Sequence, residues 1–298
     1  MFKNVIVYRI GADWSATLAD MEERLAATRF VACGPSQEKS LGWVEPRGVA
    51  QGPLVESVAG QLVLKMMIET RALPASVVNR KAEERVAQIE ASTGRKPGKK
   101  EMRDLKDDIR LTLLPMAFTK LASITVWIDR EARWLVIDAA SQSRAEEVVA
   151  ALVASLDGFA IALLNTQISP TAAMAQWLDT QEPPAGFSVD RECELKAADE
   201  SRAVVRYARH ALDTEEVRQH VATGKLPTRL ALTWEGRVSF VLTESLQLKK
   251  LAFLEGVFET SGAERADGFD TDTAIATGEL RKLLPDLLEA LGGEVVVG

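Results

Sequence analysis

Cysteine, histidine and aromatic residues are all scarce in this 298-residue chain, and each scarcity closes off a class of function. The only cysteines, Cys33 and Cys193, lie far apart without a CxxC pair, which excludes a disulfide scaffold and a thiolate zinc site; buried, reduced thiols are expected. The only histidines, His210 and His220, have no HExxH context, so a metal hydrolase would have to rely on carboxylates. No GxxxxGK[ST] phosphate loop and no GxSxG nucleophile motif occur, and no cofactor is implied. Aromatics make up 6% of the chain and do not interleave with basic residues as base-stacking platforms would. No apolar run approaches the eighteen or so residues of a membrane span, and the opening FKNVIVYRI is too short and strand-like for a signal peptide, so a cytoplasmic protein without membrane attachment is expected. Net positive charge is also missing: 36 Lys and Arg face 43 Asp and Glu. A surface that coats nucleic acid everywhere is thereby excluded, but a local basic face is not.

Such a local concentration exists. TGRKPGKKEMRDLK, residues 93–106, holds Arg95, Lys96, Lys99, Lys100, Arg103 and Lys106 against Glu101 and Asp104. It reads as the junction of two helices, 75–92 and 98–112, broken at Gly94, Pro97 and Gly98. Such a hairpin cannot bury both faces alone, so Val86, Ile89, Leu105 and Ile109 need each other or a partner. Its charges fit either a solvated helical face or a phosphate-contacting tip. Further cations gather at Arg202, Arg206 and Arg209 around a short strand-like stretch, at Lys225 and Arg229, and at Lys249 and Lys250 on an expected helix. The arginines equally suit a sheet edge guarded by charge.

The remaining chain alternates strand and helix patterns. Residues 2–10 read as a strand, 15–28 as a helix capped by Ser15, the RFVAC and GWVEP segments as strands, 60–71 as a buried strand, and 73–90 as a helix with Pro74 in its first turn. Residues 123–156 and 229–258 each read strand, tight turn, strand, helix, with Trp127 and Trp234 in matching places. Residues 62–78 resemble 203–217, and the segments beginning IALLNTQ and TAIATGEL each read strand then helix. Three matched segments in one order imply an α+β protein of two related α/β repeats, the first carrying about 36 extra residues as a helical-hairpin insertion. The expected organisation is a discontinuous first repeat (1–74 and 118–166), a helical tip (75–117) and a second repeat (167–298). Trp43, Trp127, Trp134 and Trp234 lie in strand patterns and belong to the core.

The segments FKNVIVYRI, FVACGPSQEKSLGWVEP (30–46), LLPMAF (113–118), ATGEL (276–280) and EALGGE (289–294) resemble, in the same order from end to end, the recombination-associated proteins of the RdgC family. The resemblance implies a ring-shaped homodimer with a basic central hole. Such a ring binds duplex DNA with little sequence preference, also binds single-stranded DNA, and restrains RecA-type recombinase, which places it with the nucleoid. It further implies that Phe118 belongs to a subunit contact acting as a gate near the tips, and that Arg209 and His210 face the hole. Met116 stands where the family often has a basic residue. The DNA-contact candidates are then Arg95, Lys96, Lys99, Lys100, Arg206, Arg209, His210, Lys225, Lys249 and Lys250, with no catalytic or metal-binding residue.

Two other readings remain open. Asp129 and Asp138 flank a hairpin and could serve a divalent-metal nuclease, although strand-end carboxylates serve turns equally well. Alternatively the tip hairpin binds another protein and its lysines only keep it soluble.

Overall fold

The computed structural model describes residues 2–258 and 268–295. In chain order the elements are β1 (Val5–Ile10), α1 (Leu18–Ala26), β2 (Lys39–Val44), β3 (Val55–Val58), β4 (Gln61–Ala72), α2 (Ala75–Thr93), α3 (Lys99–Leu113), a 3-10 turn (Leu114–Met116), β5 (Phe118–Asp129), β6 (Trp134–Asp138), α4 (Gln142–Ser155) and β7 (Ile161–Leu163). There follow α5 (Pro170–Thr180), β8 (Phe187–Ala197), β9 (Val204–Ala208), α6 (Glu215–Ala222), β10 (Lys225–Trp234), β11 (Val238–Thr243), β12 (Leu248–Phe253) and α7 (Gly268–Ala290). Mixed helix and antiparallel sheet make this an α+β fold.

All twelve strands join one sheet in the order β2-β4-β5-β6-β1-β12-β11-β10-β8-β9, with β3 on β4 and β7 on β1. Each side of the β1–β12 seam therefore carries a run of antiparallel neighbours. The seam itself is thin, with one register pair, Val5 opposite Leu248, and a bond from the Leu251 N–H to the Lys3 carbonyl at 2.9 Å. The strands alternate as half-buried strands must. On one face Leu64, Met66, Val126, Ile128 and Ile137 pack against α1 and α4. On the other, Trp127, Val136, Leu230, Leu232 and Phe240 meet Met174 and Trp177 of α5 and Leu280, Leu283 and Leu287 of α7. This second core draws on both ends of the chain.

Several local expectations need correction. Thr17, not Ser15, caps α1: its hydroxyl accepts the Asp20 N–H while Asp20 returns a bond to the Thr17 N–H, and this reciprocal box outcompetes the earlier serine. RFVAC forms no strand. It only lies beside β2, the Phe30 N–H bonding the Trp43 carbonyl, and Gly42 permits the approach because a Cβ there would sit 2.5 Å from the Phe30 Cα. Lys249 and Lys250 lie on β12 and not on a helix, and TAIATGEL, expected to open as a strand, belongs wholly to α7. β9, whose sequence echoes β4, sits at the sheet edge, and β8 is the neighbour of β10. Cys193 is buried as expected, whereas Cys33 is half-buried; both are free thiols. The four tryptophans are buried in the core as expected.

Candidate nucleic-acid interface

The tip grows out of the far end of the long β4–β5 pair, where Ala72 stands opposite Phe118. Gly94 closes α2 in a left-handed conformation (φ 73°), its N–H bonding the Glu90 carbonyl, and α3 begins at Gly98, whose N–H donates to Glu101. Arg95 grips the same Glu101 carboxylate with two bonds of 2.8 Å. Arg95 first, and the Gly98 N–H second, hold the Glu101 carboxyl down at about 2. Lys96 approaches Glu90 at 3.8 Å. Two of the six expected cations therefore organise the turn itself, while Lys99, Lys100, Arg103 and Lys106 form no ion pair among the described residues.

Spacing then sorts the charges. Lys99, Arg103, Lys106 and Arg110 recur at i, i+4, i+7 and i+11 and form one basic stripe along α3, about 16 Å long at 1.5 Å per residue. Met102, Leu105, Ile109 and Leu113 form the adjoining apolar seam against α2, and Glu101, Asp104 and Asp108 occupy the far side. α3 buries no residue fully, and Val86, Ile89, Leu105 and Ile109 are each only half covered. The seam thus supplies the mutual contact these residues need but leaves the hairpin solvent-bathed.

At the base of the hairpin an apolar strand end stands bare. Phe118 is 87% exposed, Met116 70% and Leu121 58%, and both faces of β5 are open from Phe118 to Ser123. The segment is nevertheless held firmly. Arg71 of β4 donates to the carbonyls of Leu114 and Ala117 at 3.2 and 3.4 Å and to those of Cys33 and Gly34 at 3.2 Å each. Beside it the buried Glu69 carboxylate accepts the Cys33 N–H at 2.6 Å. That bond first, with the Thr119 hydroxyl adding to it, draws the Glu69 carboxyl below its ordinary range.

The second group of cations is far more committed. Arg206 pairs with Glu194 at 2.6 Å and Lys250 with Glu192 at 2.5 Å. Lys225 contacts the His220 ring at 3.0 Å, and Lys249 donates to the Ala140 carbonyl at 2.9 Å. Burial, then the nearby Arg229, push the Lys249 ammonium below its usual value. His210 is exposed, with its ring against Tyr207 and its Nδ1 at the Ala211 carbonyl. Arg209, like Arg202 and Arg229, is exposed with no side-chain hydrogen bond or ion pair among the described residues, and it sits on a left-handed backbone (φ 55°) just past β9. β5, at the foot of the tip, lies three strand spacings from β12, which carries Lys249 and Lys250, and five from β10, which carries Lys225, about 14 and about 24 Å of sheet.

The paired aspartates do not form a joint site. Asp129 stands opposite Trp134 and Asp138 opposite Val5, at the two ends of β6, about 13 Å of strand apart. Asp129 accepts the Ala132 N–H and pairs with Arg281 at 2.8 Å, while Asp138 accepts the Lys3 and Asn4 N–H groups. Both work as turn and strand-end acceptors. Among the described residues no three His, Cys, Asp or Glu side chains converge to hold a metal ion.

Fold and site define an α+β protein whose exposed basic hairpin adjoins an uncovered apolar strand end. The chain belongs to the RdgC family: a family model described as "Putative exonuclease, RdgC" matches residues 1–294. It is similar to the recombination-associated protein RdgC of Dechloromonas aromatica, at 47% identity over 99% of this chain and 98% of that protein. The proteins of the same name from Herminiimonas arsenicoxydans and Bordetella pertussis are each 43% identical, over 98% of both chains. Sequence reasoning misses two parts of the site. The continuation of the α3 stripe to Arg110 is visible in the spacing of Arg103, Lys106 and Arg110, whereas nothing in the sequence marks Arg71 as the clamp.

Proposed function

We propose that the protein is a non-catalytic DNA-binding protein of recombination and replication that encircles duplex DNA without sequence preference and also holds single strands. In this reading two chains, each of two related repeats (1–74 with 118–166, and 167–298) and a tip (75–117), close into a ring. The ring occludes DNA from RecA-type recombinase at the nucleoid. The carrying observation is the pairing of a basic stripe, in which Lys99, Arg103 and Lys106 form no ion pair among the described residues and only Arg110 is paired, to Asp107 at 2.7 Å, with Phe118, an aromatic ring 87% exposed at the same strand end. Exposed cations attract phosphates whatever the base sequence, and an exposed aromatic anchored by a rigid clamp suits a subunit contact. Lys99, Lys100, Arg103, Lys106 and Arg209 are the leading phosphate contacts. Arg95 and Lys96 shape the turn that presents the stripe, and Arg206, Lys225, Lys249 and Lys250 would have to exchange their present partners to reach DNA.

Binding to nicked circular and linear duplexes at low salt, followed by a salt challenge, tests the reading. A closed ring keeps the circle at salt that strips the linear duplex; simultaneous loss of both would leave an open-faced binder. A nuclease is the second reading, favoured by the wording of the family description. Loss of DNA ends over time with magnesium would support it, and the separation of Asp129 from Asp138 means that other carboxylates would have to carry it.

A further inference from the structure

Four ionisable side chains meet where β9, α6 and the start of β10 converge. The Lys225 ammonium reaches Nδ1 of the His220 ring at 3.0 Å, and Nε2 of the same ring lies 3.9 Å from the Glu216 carboxylate. The Tyr207 hydroxyl donates to that carboxylate at 2.9 Å, and its ring stands 6.4 Å from His220 and 5.4 Å from His210. Burial first, then the bond to Glu216, pushes the Tyr207 phenol up to about 12, so it keeps its proton at neutral and acid pH. Burial does the same for the Cys193 thiol opposite it on β8, also pushed up to about 12.

Donors and acceptors fix the charge of the ring. An ammonium only donates, so Nδ1 must be bare and accept from Lys225, and the ring hydrogen sits on Nε2, towards Glu216. His220 is neutral in this arrangement. A second proton would land on Nδ1 and set an imidazolium against an ammonium, two donors of like charge with no acceptor between them. Glu216 on α6 favours that proton and Lys225 on β10 opposes it, while Tyr207 on β9 and Cys193 on β8 stay uncharged. Asp199, beyond the end of β8, is the other carboxylate within reach of the Lys225 charge.

The contact also fixes where Lys225 points. Directly opposed residues share a face of a sheet, and Lys225 stands opposite Ala197, in step with the buried Leu195 and Cys193. It therefore lies on the α6 side, whereas Glu194 and Arg206 project from the other face. Lys225 opens β10 directly after Gly224, whose left-handed backbone (φ 88°) turns the chain there, and at a strand end a long lysine stem is free to swing out into solvent. We infer that His220 is a proton-operated latch on Lys225: the neutral ring holds the ammonium against α6, and the protonated ring releases it, so that both charges become available to phosphates. The consequence for DNA rests on the function proposed above; the latch does not.

Nitrogen-15 spectra of the imidazole rings of the full chain, followed from about pH 8 to about pH 5.5 without DNA, test the latch itself. At the alkaline end the His220 ring is expected to carry its hydrogen on Nε2, and in Lys225→Met its titration midpoint is expected to rise by about 0.5 to 1 pH unit, because the opposing charge is gone. Duplex binding then tests the consequence, in a His210→Gln background that removes the other titrating ring. An imidazole changes charge between about pH 5 and 8, so the salt slope should steepen by about 1 to 2 across the same range, at roughly 0.9 for each added phosphate contact, and the change should vanish when His220→Gln is added. A hydrogen on Nδ1 at the alkaline end, a midpoint unmoved by Lys225→Met, or a slope that fails to steepen or steepens equally without His220 would each overturn the assignment. Absence of duplex binding at both ends of the range would refute the DNA reading instead, and the ring titration alone would then decide the latch.

Discussion

Replacing Phe118 with alanine separates folding from assembly more cleanly than any other substitution in the chain. The ring is 87% exposed, so the isolated subunit gains little from it, and a surface truncation of this kind changes stability by less than about 0.5 kcal/mol. In a two-fold contact the ring occurs twice. Burying one phenylalanine is worth about 2 kcal/mol, so the pair contributes about 4 kcal/mol, roughly a thousandfold in the equilibrium between the closed and the open ring. Retention on nicked circular duplex after a salt challenge, read beside the thermal midpoint, is the assay. Retention should collapse to that of a linear duplex while the midpoint stays within about 1 °C. Undiminished retention, or a loss matched by unfolding, would refute the placement of Phe118 in a subunit contact.

Reversing Lys99, Arg103 and Lys106 to glutamate should weaken duplex binding equally across sequences and flatten the salt slope by about 2 to 3, at roughly 0.9 for each phosphate no longer neutralised; an unaltered slope would remove the α3 stripe from the interface. Arg71→Lys should cost about 2 kcal/mol in urea unfolding, because one ammonium cannot reach the carbonyls of residues 33–34 and 114–117 together, and a change below about 0.5 kcal/mol would contradict the clamp. Glu101 gives the tip a specific acid response. Its folded pKa lies near 2, below the ordinary value, so its contribution is complete above about pH 4.5 and fades as pH falls towards 2. Hydrogen exchange at the Gly98 N–H should accordingly stay slow from pH 7 to about pH 4, after allowance for intrinsic rates. Early exposure near pH 5 would argue against the Arg95–Glu101 pair.

The tip is legible because its signals are local: Gly94, Pro97 and Gly98 break one helical pattern and start another, and α2 and α3 fall within a residue or two of the expected spans. Lys249 and Lys250 mislead for an equally physical reason. Lys250 adopts a left-handed backbone (φ 50°) that interrupts the two-residue alternation of β12, so the buried Leu248 and Leu251 stand three apart and imitate a helix. In α7 the β-branched start TAIAT suggests a strand, yet Thr273, Ala276, Thr277 and Leu280 are buried at helical spacing under the second core, and tertiary packing overrides propensity. Ion pairing across strands, as between Arg206 and Glu194, joins residues whose partnership depends on sheet register and is unreadable from either segment alone.

The thin seam at the middle of the sheet also governs when the molecule can be finished. β1 is the first strand, yet its strand neighbours β6, β7 and β12 are made about 130, 155 and 240 residues later. During synthesis one edge of β1 therefore stays unpaired until β6 is made, and the other until β7 and then β12 follow, and loop closure over such separations is slow. The second core waits as well, since α7 is made after every strand it covers. Joining of the two halves across the seam thus waits for β12, and until then the edge of β1 at the seam is open to pairing with other chains.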